Sequence, residues 1–318
     1  MSFRRWFFTP QGVWRLPWRL LWTSLAWLSL SLLLSAVAML LLLFSGHEPL
    51  VRTEAPGPSA DTSTITLSMS TSALMASLVV SALATAVTLA LAARFWEPFT
   101  WADWGLHLHR GTAWRDLALG FGAAGLMQAS VAAALYLSGA ATWHLTPATD
   151  WTAWIRAAAL WLFLFALVGW YEEALLRGYL FTTLAYSLRP WLAAVLSALV
   201  FAGLHAGNPG FSPLAFGGLT IIGLFFVALR RPTPWGLALP IGVHWGWNFF
   251  EGLIFGFPVS GLPVPTIAQA TLTGPDWWTG GSFGPEAGAV VLVALIVGWI
   301  LLRPSPSFLY PTRTKNDR

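Results

Sequence analysis

The 318-residue chain contains no cysteine and very few charged residues. Without cysteine it can form no disulfide, no thiolate nucleophile, no Cys-ligated zinc site and no cysteine-linked lipid anchor. Charged residues make up 9% of the chain, against about 25% in a typical soluble domain. This scarcity of charge argues against a soluble globular fold.

The chain is instead rich in hydrophobic residues. They make up 56% of the chain, and the mean hydropathy is +0.65. The 21 tryptophans fit this picture, because tryptophan is enriched at the boundary between membrane and water. A transmembrane helix needs about 20 apolar residues. The chain therefore has room for many spans and no large soluble domain, and we predict an all-α, polytopic transmembrane helix bundle.

The net charge is +4 and the isoelectric point is about 10.0. In a soluble chain such a basic balance would raise the question of nucleic-acid binding. Here the basic residues lie mainly at the ends of apolar runs, as the positive-inside rule describes. The expected partner is the lipid bilayer, and nucleic acid is not expected.

Hydropathy predicts about eight spans. The first follows a basic leader and is too long for the apolar region of a cleaved signal peptide, so we expect an uncleaved anchor. Residues 256–286 contain no Lys or Arg, so we expect this segment on the extracytoplasmic side. With eight spans, both termini are then expected in the cytoplasm. We expect the membrane to be that of a prokaryotic cell. The approximate spans are Leu20–Phe44, Ala73–Phe95, Leu117–Leu137, Trp151–Trp170, Trp191–Leu204, Pro213–Leu229, Gly236–Phe255 and Ala287–Leu302.

The segments between and around the spans give a provisional division of the chain. Residues 1–110 hold the N-terminal spans, 111–303 form the core with the polar clusters, and 304–318 form a basic cytoplasmic tail. Residues 45–72 are rich in Ser, Thr and Pro, which predicts a flexible extracytoplasmic loop. The stretch 151–188 is longer than one span. It is either a single helix that projects into the cytoplasm or a span followed by a short interfacial helix.

The first polar cluster follows the fourth predicted span. Residues four apart share a helical face, so Glu173 and Arg177 can pair while Glu172 points about 100° away. The pair then neutralises one carboxylate and leaves the other available as a general base. An interfacial ion pair that flanks a span would have the same spacing.

Two further clusters repeat the spacing of four. Phe201 and His205 end the fifth predicted span, and His244 and Asn248 lie in the seventh. Histidine and asparagine can bind a metal, orient a water or stabilise an oxyanion. Each pair alone is also compatible with ordinary packing. Ionisable groups are costly inside a membrane, so three clusters in one chain predict an active site within the membrane.

The order Glu-Glu-x-x-x-Arg, Phe-x-x-x-His and His-x-x-x-Asn resembles the CAAX protease and bacteriocin-processing (CPBP, or Abi) family of intramembrane endopeptidases. This family includes the type II CAAX prenyl endopeptidase. The resemblance covers about residues 165–300. The stretch 280–286, Gly-Gly-Ser-Phe-Gly-Pro-Glu, is also similar to bacterial members.

The resemblance implies roles for six residues. Glu172 would activate a water for attack on a peptide carbonyl, and His205 would help to position it. Glu173 and Arg177 would support the site, while His244 and Asn248 would contact the water or a metal and stabilise the oxyanion. The implied substrate is a membrane-associated peptide or protein, prenylated or of the bacteriocin type.

Two mechanisms stay open at the level of sequence. Glu172, His205 and His244 could complete a three-ligand site for a divalent metal, with zinc as the expected ion. The chain has no His-Glu-x-x-His helix, however, and a metal-free water activated by glutamate explains the same residues. Two other classes also stay open, namely a non-catalytic scaffold or immunity protein of the same fold and a multi-pass transporter.

The span map raises one geometric question. It places Glu172 and His244 toward the cytoplasmic side, whereas His205 ends a span that runs outward. If the three clusters form one site, either the fifth helix is short or the glutamate pair lies deeper in the membrane than the map places it.

Overall fold

The computed structural model describes residues 4–48, 50–56, 63–107, 112–145, 151–233 and 235–304. The basic tail predicted at 304–318 lies outside this part of the chain except for its first residue.

Four helices in the described ranges are long and apolar enough to cross a membrane. Each contains one of the first four predicted spans, and together they support an integral membrane protein. They are α2 (Leu16–Phe44), α3 (Thr71–Phe95), α4 (Thr112–Leu137) and the continuous helix Trp151–Ser187. A four-residue helix, α1 (Arg4–Phe7), precedes them.

The helix Trp151–Ser187 is continuous, as the first of the two alternatives for this stretch predicts. It consists of α5 (Trp151–Glu173), a π-helical segment (Ala174–Leu180) and α6 (Phe181–Ser187). Its 37 residues exceed what one span requires. The π-helical segment begins directly after the glutamate pair, and such segments occur frequently at functional sites.

The remaining predicted spans correspond to shorter helices. These are α7 (Pro190–Leu204), α8 (Pro213–Leu229) and α9 (Ala238–Asn248) with a second π-helical segment (Phe249–Ile254). The four-residue α10 (Asp276–Thr279) corresponds to no predicted span, and α11 (Val291–Leu302) corresponds to the eighth. The eighth span begins four residues later than predicted, because two short 3₁₀ turns, Gly281–Phe283 and Pro285–Ala287, precede it. The count of eight spans stays a prediction.

The described chain also contains strands, which the all-α class did not predict. β1 (Leu50–Pro56) pairs antiparallel with β2 (Ser63–Met69), inside the segment predicted as a flexible loop. β3 (Ala141–Leu145) pairs antiparallel with β4 (Ala268–Leu272) and joins two loops that are far apart in sequence. Both pairs consist of short extended segments outside the long helices, and backbone pairing satisfies their polar groups.

The length of α7 answers the geometric question. Only Leu188 and Arg189 separate α6 from α7, so the two helices form a hairpin. At 1.5 Å per residue the 15-residue α7 is about 22 Å long, which is shorter than the hydrocarbon core of a bilayer. Ser197 of α7 donates a hydrogen bond to the carbonyl of Leu176 at 2.8 Å, which fixes the two arms together. The hairpin therefore returns the end of α7 to the depth of the glutamate pair.

Ion pairs and arginine contacts connect the helix ends. Arg19 of α2 is buried and forms a salt bridge with buried Glu97, just beyond α3. Arg230, which follows α8, donates to the carbonyl of Asp103 at 2.9 Å and to the hydroxyl of Thr182 at 3.1 Å. Burial lowers the pKa of Arg230 to about 10, and the charge of Asp103 opposes that shift. Arg230 therefore remains charged at neutral pH.

Helices α4 and α9 pack backbone against backbone. A Cβ atom at Gly242 of α9 would lie 2.1 Å from the carbonyl oxygen of Leu117, so only glycine allows this approach. Close packing through small residues is typical of helices in membranes. This contact places α9, and with it His244 and Asn248, inside the bundle.

We expect Gly242→Ala to lower the free energy of unfolding by about 1–3 kcal/mol, because the added methyl group must displace the backbone of α4. Gly122→Ala is the matched control, since no atom lies within 4 Å of a Cβ at this exposed position of α4. Thermal unfolding in detergent micelles measures both. Equal midpoints for the two variants would contradict the packing described.

Candidate active site

Two adjacent carboxylates at the end of α5 have different surroundings. Glu173 is fully buried, whereas 16% of the Glu172 side chain is exposed. Glu173 accepts a hydrogen bond from Nη1 of Arg177 through its Oε1 atom at 2.9 Å. The pair has the i, i+4 spacing predicted from the sequence, and both side chains are completely buried. The charge of Glu173 is therefore balanced by a fixed partner.

Two aromatic rings surround the guanidinium group of Arg177. Its central carbon lies 4.3 Å from the ring centroid of Phe201 and 5.1 Å from that of Phe226. A cation over an aromatic face is stabilised electrostatically, and more strongly where water is excluded. Nη2 of Arg177 also donates to the carbonyl of Gly223 at 3.3 Å. Arg177 is thus held by α7 and α8 as well as by its own helix.

His244 connects α9 to the glutamate pair. Its Nδ1 lies 2.9 Å from Oε1 of Glu173, and its Nε2 lies 3.8 Å from Oε2 of Glu172. Because Oε1 of Glu173 also accepts a hydrogen bond from Arg177, the proton of this hydrogen bond belongs to Nδ1 of His244. The ring of Phe226 stacks on the imidazole at a centroid distance of 5.1 Å and an angle of 15°. His244 therefore has one ring nitrogen fixed and the other directed toward Glu172.

His205 and Asn248 complete the predicted set. Nδ1 of His205 lies 2.8 Å from the carbonyl of Phe201, and a carbonyl can only accept, so Nδ1 carries the proton. In the neutral form of the ring, Nε2 is then an acceptor. Asn248 is buried one helical turn beyond His244. In the described part of the chain no side-chain hydrogen bond connects either residue directly to the glutamate pair.

The unpaired oxygens of the two glutamates are the most informative polar atoms of the site. Oε2 of Glu172 and Oε2 of Glu173 are buried and have no hydrogen-bond partner among the described residues. Buried polar atoms are normally hydrogen-bonded, so each of these oxygens is suited to a water or a substrate group. Glu172 is the better placed of the two, because its side chain is partly exposed and holds no arginine.

The described residues contain no ready-made three-ligand metal site. Within the described ranges no group of three His, Asp or Glu side chains has an arrangement that could hold a metal ion. Glu172 and His244 are neighbours, but Nδ1 of His244 is engaged by Glu173. The set of Glu172, His205 and His244 as zinc ligands stays a prediction.

The sequence motifs did not identify α8 as part of the site. Phe226 contacts both Arg177 and His244, and Gly223 supplies a carbonyl to Arg177. Both residues lie in a uniformly apolar helix, where one phenylalanine cannot be distinguished from another by pattern. In the sequence there was only a weak indication of helix packing at Gly223, since glycine allows the close approach of helices. A Cβ atom there would lie 3.0 Å from Ala198 of α7.

A comparison with known families gives a match in the middle of the chain. Residues 153–250 match the family model described as type II CAAX prenyl endopeptidase Rce1-like. The matched segment contains all six predicted site residues and the two π-helical turns begin within it. It confirms the resemblance drawn from the three motifs and supports a CAAX-type intramembrane endopeptidase. No curated protein and no solved structure shows significant similarity to the chain.

Glutamine substitutions should separate the structural carboxylate from the available one. We expect Glu173→Gln to lower the free energy of unfolding by about 3–5 kcal/mol, because Arg177 would keep a buried charge without its counter-ion. Glu172→Gln should cost less than about 1 kcal/mol, since that side chain is partly exposed and pairs with no arginine. Urea unfolding in micelles provides the values. Similar losses for both variants would contradict the assignment.

Proposed function

We propose that the protein is an intramembrane endopeptidase that hydrolyses peptide bonds of membrane-associated substrates with a water activated by Glu172. The observation that carries this proposal is the division of roles between neighbouring carboxylates. Glu173 is fixed by Arg177 and His244, while Glu172 has a partly exposed side chain whose buried Oε2 accepts no hydrogen bond from the described residues. A base must be able to reach the water from which it takes a proton, and only Glu172 of the two meets that condition.

The reaction begins with proton transfer from the water to Glu172. The water oxygen forms a bond to the peptide carbonyl carbon, and the electron pair of the C=O bond moves to the carbonyl oxygen. Protonated Glu172 then gives its proton to the amide nitrogen, the C–N bond breaks and the carbonyl forms again. One carboxylate thus serves as base and then as acid, and it returns to its starting state.

The other predicted residues support these two transfers. Nε2 of His205 accepts a hydrogen bond from the attacking water, because its Nδ1 is already donating to Phe201. The side-chain amide of Asn248 donates to the oxyanion, a role in which preorganised donors lower the barrier of acyl transfer. His244, held by Glu173 and stacked on Phe226, orients the carboxylate of Glu172.

The substrate class follows from the surroundings of the site. The catalytic groups lie between helices of an integral membrane protein, so a substrate must reach them from the membrane or its surface. Prenylated C-terminal tails, as the name of the matched family implies, and hydrophobic bacteriocin-type precursors both satisfy this requirement. The cytoplasmic orientation of both termini, in a prokaryotic membrane, is part of the same proposal and rests on the distribution of Lys and Arg.

Cleavage of quenched membrane peptides, prenylated and unprenylated, tests the proposal. We expect turnover by the purified chain and a loss of at least 100-fold in Glu172→Ala, as general-base catalysis contributes about 10²–10⁴-fold. Glu97→Gln is a control in which a buried carboxylate outside the site is changed.

Metal content, measured on the same samples, distinguishes a glutamate-activated water from a metal-assisted one. Equal turnover by the native chain and Glu172→Ala, or none by either across the panel, would contradict the proposed function. The second result would favour a binding scaffold or a transporter.

A further inference from the structure

We propose that Glu286 is a positioning residue that fixes His205 through Ser260 and Asn208. This inference rests on the proposed function, because it concerns the histidine assigned to the attacking water. Glu286 lies in the 3₁₀ turn before α11. Glu286 is 81 residues beyond His205 in the sequence and lies outside the segment that matches the family model. Three consecutive hydrogen-bonded contacts connect them.

The first contact holds a strained residue. Glu286 is buried, with 4% of its surface exposed. Its Oε2 accepts hydrogen bonds from the backbone N–H of Ser260 at 2.8 Å and from the Ser260 hydroxyl at 2.6 Å. Ser260 has a φ of 46°, a left-handed conformation that is unfavourable for a residue other than glycine. Such conformations persist where their surroundings enforce them. The two bonds from Ser260 to one carboxylate oxygen supply that enforcement.

The second contact connects Ser260 to the loop after α7. The side-chain Nδ2 of Asn208 donates to the carbonyl oxygen of Ser260 at 2.9 Å. The direction of that carbonyl depends on the backbone conformation of Ser260, which Glu286 controls. Loss of the carboxylate would therefore move the acceptor to which Asn208 is bound.

The third contact reaches the histidine. The backbone N–H of Asn208 donates to the carbonyl oxygen of His205 at 2.9 Å, and the N–H of His205 donates to Ala202 at 3.2 Å. These bonds form a turn that directs the His205 ring toward Phe201. Glu286 also lies near His205 and His244. The carboxylate is thus next to the site without contacting the reacting atoms.

Backbone contacts around this chain of bonds should keep the loops folded when Glu286 is changed. The N–H of Gly261 donates to Phe283 at 2.8 Å, and a Cβ at Gly218 of α8 would lie 2.0 Å from the carbonyl oxygen of Glu286. These contacts do not use the carboxylate. Substitution of the side chain therefore loosens the position of His205 and leaves the segment in place.

The test compares kcat and KM for Glu286→Ala, Glu286→Gln, Asn208→Ala and the double variant Asn208→Ala with Glu286→Ala. We expect each alanine variant to lower kcat 10- to 100-fold with KM within about twofold, because a misplacement of about 1 Å can cost about 10²-fold. Glu286→Gln keeps one acceptor oxygen for Ser260 and should lose less than about fivefold in kcat by the same reasoning. The double variant should lose no more than the worse single variant, since both changes break one chain of contacts.

Glu97→Gln is the matched control. It alters a buried carboxylate that pairs with Arg19, so it should lower the unfolding midpoint without the fall in kcat. Three results would each overturn the proposal. They are losses of kcat that multiply in the double variant, an increase in KM alone, and an unchanged kcat in Glu286→Ala.

Hydrogen–deuterium exchange of residues 205–212 tests the positioning role of Glu286 without requiring that the protein cleaves a peptide. Exchange should be faster in Glu286→Ala and Asn208→Ala than in the native chain and in Glu97→Gln. If the native chain cleaves no peptide, the proposed function fails while the exchange still decides whether Glu286 holds the loop. Unchanged exchange in Glu286→Ala would overturn the positioning role.

Discussion

The buried pair of Glu173 and Arg177 is the interaction on which the rest of the site depends. Neither charge could remain alone in an apolar helix bundle, because an isolated ion there costs several kcal/mol. Together they are neutralised, and Arg177 gains two aromatic rings and a backbone carbonyl from neighbouring helices. Glu173 also binds His244. One carboxylate thus orients an arginine, a histidine and three helices at once.

The lengths of the helices bring the groups of the candidate site together. A helix of 37 residues carries the glutamates, and shorter helices of 15 and 17 residues bring aromatic rings to the same depth. The two π-helical segments begin directly after Glu173 and Asn248. A π-helical turn alters the register of the residues that follow it, so both motifs lie at points where the helix is locally wider.

The sequence predicted the parts of the site that depend on local spacing. Glu173 and Arg177 are neighbours because residues four apart share a helical face, and this relation needs no tertiary information. Phe201 and His205 follow the same rule, and their rings lie 4.9 Å apart. The three motifs also identified the family that residues 153–250 match. The membrane class followed from composition alone.

Contacts between distant segments could not be predicted in this way. Phe226 belongs to the site because α8 packs against α7 and α9, and its apolar sequence gives no sign of that role. The same holds for the bonds from Glu286 to Ser260 and from Asn208 to Ser260, which join three loops. The short strands were missed because β3 and β4 are separated by more than 120 residues in the sequence. A hydropathy pattern indicates the length and polarity of each segment, and neither property indicates which loops will pair with one another.

The most direct test of the central claim is a double-mutant cycle for Glu173→Gln and Arg177→Met, followed by unfolding in micelles. A second cycle for Glu172→Gln and Arg177→Met serves as the reference. The structure predicts a coupling free energy of at least about 2 kcal/mol between Glu173 and Arg177, and less than half of that between Glu172 and Arg177. Equal coupling in the two cycles would contradict the claim that one carboxylate holds the site while its neighbour is left for catalysis.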